Sequence, residues 1–107
     1  MSSKTTGLTK LVKIEDIDLI ESAGVYVTLH LEGKQVLYRA YLQQLGARLD
    51  ADRFIRVNHS AIVNLDSVLQ LEAMSHGEFE ITLKNGAHTE VTRSFRPNLE
   101  FRLGQTL

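Results

Sequence analysis

The sequence predicts a mostly β fold of small antiparallel sheets with one or two short helices, on three observations. From Leu11 onward, β-branched and apolar residues recur in short runs separated by polar breaks, the rhythm of strands rather than helices. Glu32-Gly33 and Asn85-Gly86 stand between such runs as tight-turn signals. Helical spacing of apolar residues is confined to two brief stretches, around Leu45 and around Leu99. At 107 residues with 43% hydrophobic positions, the chain is long enough for one modest core and too short for two full domains.

Residues 1–10 are mostly Ser, Thr, Lys and Gly, too polar to order alone, so they read as a flexible arm or linker remnant ahead of a domain over 11–107. Val12 and Ile14 alternate with Lys13 and predict the start of the first sheet, which resumes over Ile17 to Glu21. Tyr26 to Leu31 is strongly β-prone, Glu32-Gly33 turns it, and Lys34 to Tyr38 returns as its hairpin partner. Tyr38, Leu42, Leu45 and Leu49 then fall on one helical face, predicting a short amphipathic helix over 41–49. Gly46 inside it costs about 1 kcal/mol relative to Ala, so packing must hold that helix. Strands follow at Phe54 to Val57, Ala61 to Val63, Val68 to Ala73, Glu78 to Leu83 and His88 to Thr92. Pro97 opens a last helix whose Leu99 and Leu103 form a stripe and which Gly104 ends.

Composition removes several function classes. With no Cys there is no disulfide scaffold, thiolate zinc site or thiol chemistry. No apolar run is long enough for a membrane span, and the N-terminus lacks a signal-peptide core, so the expectation is a cytoplasmic protein without membrane contact. The net charge of −1 conceals a polarity. Glu15, Asp16, Asp18 and Glu21 crowd one stretch without a cation, whereas Lys34, Arg39, Arg48, Arg53 and Arg56 outnumber Asp50 and Asp52 in another. Lys84, Arg93, Arg96 and Arg102 likewise outnumber Glu90 and Glu100. A basic face of this kind gains affinity for a polyanion by counterion release, even opposite an acidic one.

The run Phe54-Ile55-Arg56-Val57-Asn58-His59-Ser60-Ala61-Ile62-Val63-Asn64-Leu65 sets three polar residues between two apolar strand segments. Buried and unpaired, each would cost roughly 1–3 kcal/mol, so they emerge at a strand end where water or a ligand satisfies them. Simple alternation puts Arg56 and Asn58 on one side of the strand and Ile55 and Val57 on the other. Asn64 suits a turn, bonding backbone toward Asp66.

This run resembles the signature of the LytTR DNA-binding domain, the output module of many bacterial response regulators, and the likeness extends to Ile17 to Glu21 followed by Tyr26-Val27, to the amphipathic segment ending in Leu45 and Leu49, and to Asn85-Gly86 followed by Val91 to Phe95. The resemblance implies an elongated stack of small sheets that reads double-stranded DNA with loops: Ser22 to Tyr26, Asn58-His59-Ser60, and Arg93-Ser94 with Arg96. Arg93 can donate two parallel bonds to a guanine in the major groove, and His59 is the second base-reading candidate. Arg56, Asn58, Ser60, Ser94 and Arg96 suit the phosphate backbone. Gly24, Val25 and Tyr26 form the first loop, where Val25 stands in place of the family's usual polar residue, as His59 stands where an Arg is common. The resemblance also implies paired or tandem promoter sites occupied by a second copy of the chain, and a receiver domain in full-length relatives. It implies no catalysis and no cofactor.

Rival functions have weaker support. His59, Ser60 and Asp66 hold the ingredients of a hydrolase, but adjacent strand residues face opposite ways and no Gly-x-Ser-x-Gly elbow occurs. His76 with Glu78 and His88 with Glu90 are two-ligand fragments where a closed metal site takes four. A protein- or small-ligand-binding β module using a sheet edge is the alternative to DNA.

Overall fold

The computed structural model describes residues 13–104 in full and the backbone alone of residues 2–5 and 8–11. Strands β1 (Ser2–Thr5) and β2 (Leu8–Leu11), which run one residue past the segment expected to be an arm, pair antiparallel with each other as a separate two-stranded ladder. The body consists of two antiparallel sheets, and the Cα trace as a whole is elongated, with extents of 48 × 24 × 23 Å.

The larger sheet takes its strands in the order β5-β4-β3-β7-β6, from β3 (Ile17–Ala23), β4 (Tyr26–Leu31), β5 (Lys34–Arg39), β6 (Phe54–Asn58) and β7 (Ala61–Asn64). In β4 the period of two is clean: Val27, Leu29 and Leu31 are buried and the residues between them are not. A bulge in β3 breaks that period. Ile17 and Leu19 would share a face by alternation, but the register shifts between them, so Ile17 enters the core on one side of the sheet and Leu19 the core on the other. All four residues of β7 are buried, because both faces of the sheet are covered there.

One cover is α1 (Leu42–Gly46), whose Leu42 and Leu45, with Leu49 just beyond, pack on Ile17, Ile20, Leu29, Phe54 and Ile62. The helix is shorter than its apolar spacing predicts, and Gly46 explains how it is held: a methyl group there would lie 3.1 Å from Ile62 Cδ1, so the missing side chain permits close approach of helix and sheet. The other cover is the smaller sheet, ordered β10-β9-β8, from β8 (Val68–Ala73), β9 (Phe79–Leu83) and β10 (His88–Val91). With α2 (Arg96–Leu103) it encloses Leu19, Ile55, Val57, Val63, Ile81, Leu83, Val91 and Leu99. Each such side chain contributes about 1.5–3 kcal/mol on burial.

Polar side chains tie the layers at the end where β3 begins. The buried Asn64 donates to Ile17 O at 2.9 Å and accepts from Asp66 N at 3.0 Å, the turn role its sequence position suggests, extended across the sheet. Asp18, at the bulge, accepts from Ser67 Oγ and from Asn85 Nδ2 in the β9–β10 turn. Two expectations are corrected. Ile14 lies in a 3₁₀ turn over Ile14–Asp16 and the sheet starts only at Ile17, while Val12 lies outside the described residues. Leu103 stays 40% exposed, so the α2 stripe buries only Leu99.

Candidate functional site

Three loops meet at the opposite end of the body, and backbone bonds hold them there. Ser22, entering the β3–β4 turn, donates its N–H to Ser60 O at 2.9 Å. On the far side of the β6–β7 turn, Thr92 N donates to Val57 O at 3.1 Å, joining the end of β10 to β6. The β3–β4 hairpin tip, the Asn58–Ser60 turn and the Arg93–Phe95 3₁₀ turn are thus neighbours, though far apart in sequence.

The middle turn is built by its own side chains. Ile55 and Val57 enter the same core, as alternation predicts, but the register shifts between Arg56 and Asn58, and these two residues are engaged differently. Asn58 turns toward β10: its Nδ2 donates to Glu90 O at 2.8 Å, while its Oδ1 accepts from Ser60 N at 2.7 Å. Arg56 wraps the turn, donating from Nε to Asn58 O at 2.9 Å and from Nη2 to His59 O at 2.6 Å. Its guanidinium lies 5.8 Å from the Phe95 ring centre, and the His59 ring meets Phe95 edge-on at 5.1 Å. Phe95 therefore joins the middle turn to the third loop through both residues.

The predicted residues sort by exposure. His59, Ser60, Arg93 and Ser94 face solvent, as do Gly24, Val25 and Tyr26 at the hairpin tip, where Ala23 pairs with Tyr26 and Gly24 takes φ +66°. Arg56 and Asn58 are half-buried and engaged as above. Arg96 is half-buried too: it lies 3.7 Å from Glu100, one helical turn on, and 5.0 Å from the Phe79 ring centre, and it donates to Gly77 O at 3.4 Å. Its charge is thus partly balanced inside the domain, whereas the Arg56 guanidinium bonds only neutral carbonyls in the contacts above and keeps its full field.

Three contributors escaped sequence reasoning. Arg39, read from the sequence only as one of several cations, pairs across the sheet with Tyr26 and is exposed at the same end. Phe95 was read as part of the final segment and not as a bridge. The Ser75–Gly77 turn between β8 and β9 reaches this end through the smaller sheet, with nothing in its sequence to announce it. Among the described residues no group of three or more His, Cys, Asp or Glu is placed to hold a metal, and no helix is long and apolar enough to cross a membrane. His88 lies near Glu80 and Thr82 rather than completing a pair with Glu90.

The family model described as the LytTr DNA-binding domain matches residues 8–104. The transcriptional regulatory protein BtsR of Escherichia coli K12 is 29% identical over 96 residues, which are 88% of this chain and 38% of that protein. The Shigella flexneri protein of the same name matches to the same extent. The chain therefore spans well under half the length of these relatives. Among solved structures, the LytTr DNA-binding domain of a Bacillus cereus protein described as a methyl-accepting/DNA response regulator superposes with a TM-score of 0.87 at 24% identity, covering 97% of this chain and 95% of that one. That likeness establishes the shared fold.

Proposed function

The chain belongs to the LytTr family of DNA-binding domains, and on that premise we propose that its loop-bearing end reads double-stranded DNA sequence-specifically to regulate bacterial transcription. Arg93 and His59 contact base edges, Arg93 as the bidentate partner of a guanine. Ser60 and Ser94 donate to phosphates, and the hairpin tip of Gly24, Val25 and Tyr26 lies against the flanking backbone or a thymine methyl. Arg56, Asn58 and Arg96 hold the loops in shape while Arg56 and Arg96 lend charge toward the phosphates, fixing register without reading sequence.

The observation that carries this reading is the pair of backbone bonds, Ser22 to Ser60 and Thr92 to Val57, that gathers three loops rich in exposed donors at one end of a rigid body. The domain acts by binding alone, in the cytoplasm, without cofactor or chemical step. Two copies on paired or tandem half-sites gain affinity through effective concentration, and residues 1–10 serve as the arm toward a receiver domain. A duplex titration over increasing salt tests it. A domain making several phosphate contacts loses affinity with a log–log slope of about −0.9 per contact, and binding that ignores duplex or salt refutes the reading in favour of a protein-binding β module.

A further inference from the structure

We propose that Gly77 is a positioning residue for Arg93: the Ser75–Gly77 turn is a seat across which the arginine stem lies, and the smallness of that seat sets which base the guanidinium reaches. This rests on the reading of Arg93 as a base contact and names a determinant of its specificity outside the three loops.

The seat is a sharp turn. Met74 N donates to Glu78 O at 2.8 Å across it, and His76 and Gly77 take consecutive left-handed conformations, φ +64° and +77°. For His76, as for any residue other than glycine, that conformation is uncommon. A methyl group on Gly77 would lie 3.5 Å from both Cγ and Nε of Arg93 and 3.6 Å from its Cδ. Most of the arginine stem therefore rests over the glycine at a spacing that one methyl would just fill. Any atom further out in that direction takes the space of the stem.

The same glycine offers its carbonyl to Arg96 Nη1, so one turn grips arginines from both ends of the Arg93–Arg96 segment. Among the described residues, the other glycines with positive φ, at positions 24, 33, 86 and 104, have nothing within 4 Å of an added methyl. Gly77 differs from them in having the Arg93 side chain against it. A stem already ordered on backbone loses less freedom when its guanidinium docks, and it presents the guanidinium from one direction.

The test compares Gly77→Asn with Gly86→Asn. Asparagine is among the side chains that left-handed backbone strains least; both changes carry that strain, and only the first reaches toward Arg93. Selection from a random duplex pool defines the site preferred by the unaltered chain, and anisotropy titrations then compare that site with its single-base variants. Gly86→Asn keeps the preference. Gly77→Asn lowers discrimination at one base pair by about fivefold or more, the range of a bidentate contact, with scrambled-duplex affinity and salt slope unchanged. In an Arg93→Ala background it lowers discrimination no further.

Full preference retained by Gly77→Asn, or an equal loss in the Arg93→Ala background, overturns the seat. If the asparagine variant does not fold, Gly77→Ser repeats the test with one heavy atom beyond the methyl. Should the unaltered chain select no sequence, the DNA reading itself fails and the seat with it.

Discussion

The two ends of the body are built from the same strands and from similar tight turns, yet they use their polar side chains differently. Where β3 begins, Asp18, Asn64 and Asn85 spend their hydrogen bonds between layers, and all five aspartates lie at this end. Where β3 finishes, arginines and short donors gather instead. Some of these, Arg56 and Asn58, are spent on shaping a turn, and others, His59, Ser60, Arg93 and Ser94, face outward. One end is a clasp and the other is a presentation surface. A polar residue's function is therefore decided less by its type than by whether its donors are already committed.

The largest effect expected at the clasp is on stability. Asn64 is 2% exposed, and Asn64→Ala leaves the buried Ile17 carbonyl and the half-buried Asp66 amide without the side chain that pairs them. The expected loss is about 2–3 kcal/mol, seen as a fall in melting temperature of roughly 10–20 °C. Duplex affinity of the folded fraction stays within twofold. A melting temperature within about 2 °C of the parent would show that Asn64 is not a structural bond. Arg93→Ala is the complementary change: about 1–3 kcal/mol of base discrimination lost at one position, with stability altered by less than about 0.5 kcal/mol. Loss of stability without loss of discrimination would move Arg93 to the structural side.

The division into ends was only partly legible in the sequence. Strand runs, the Asn-Gly turn, the Leu42–Leu45–Leu49 stripe and a last helix near Pro97 follow from local periodicity and turn chemistry, which need no partner to express themselves, although α2 begins one residue earlier than the proline signals, at a helical Arg96. The bulges after Ile17 and after Arg56 do not, because an inserted residue is defined by the register of a neighbouring strand. The second bulge separates Asn58 from Arg56, which spacing alone had put together. Similarly, the candidate segments stand out in the sequence as a motif, while Arg39, Phe95 and Gly77 are brought to that end by pairing and packing. Half-burial of Arg96 against Phe79 and Glu100 was invisible for the same reason.

Arg56 tests the boundary between the two uses. Arg56→Ala removes two bonds to the turn carbonyls and the contact with Phe95, so the expected destabilisation is about 1–2 kcal/mol. Duplex affinity falls for all sequences alike and the salt slope flattens by about one contact. Arg56→Lys restores the charge without the two-pronged grip, and it recovers the salt slope while leaving most of the stability loss. If lysine recovers stability instead, the guanidinium geometry is not what shapes the turn.

The smallest effect concerns the acid of the clasp. Asp66 pairs with Arg53 at 3.2 Å and Asp52 with Arg102 at 3.6 Å, both aspartates being largely exposed. Such pairs contribute about 0–1 kcal/mol, so converting Asp50, Asp52 and Asp66 to Asn together barely moves the melting curve. These residues sit at the far end of strands that rise about 3.3 Å per residue, roughly two Debye lengths from the loops at physiological salt, where one Debye length is about 8 Å. The triple change therefore leaves duplex affinity within twofold at that salt. At about 0.01 M salt the Debye length grows to roughly 30 Å and the removed repulsion is felt, so binding tightens several-fold. Equal tightening at both salts would mean that the clasp end itself touches the duplex, and the assignment of the two ends would have to be reversed.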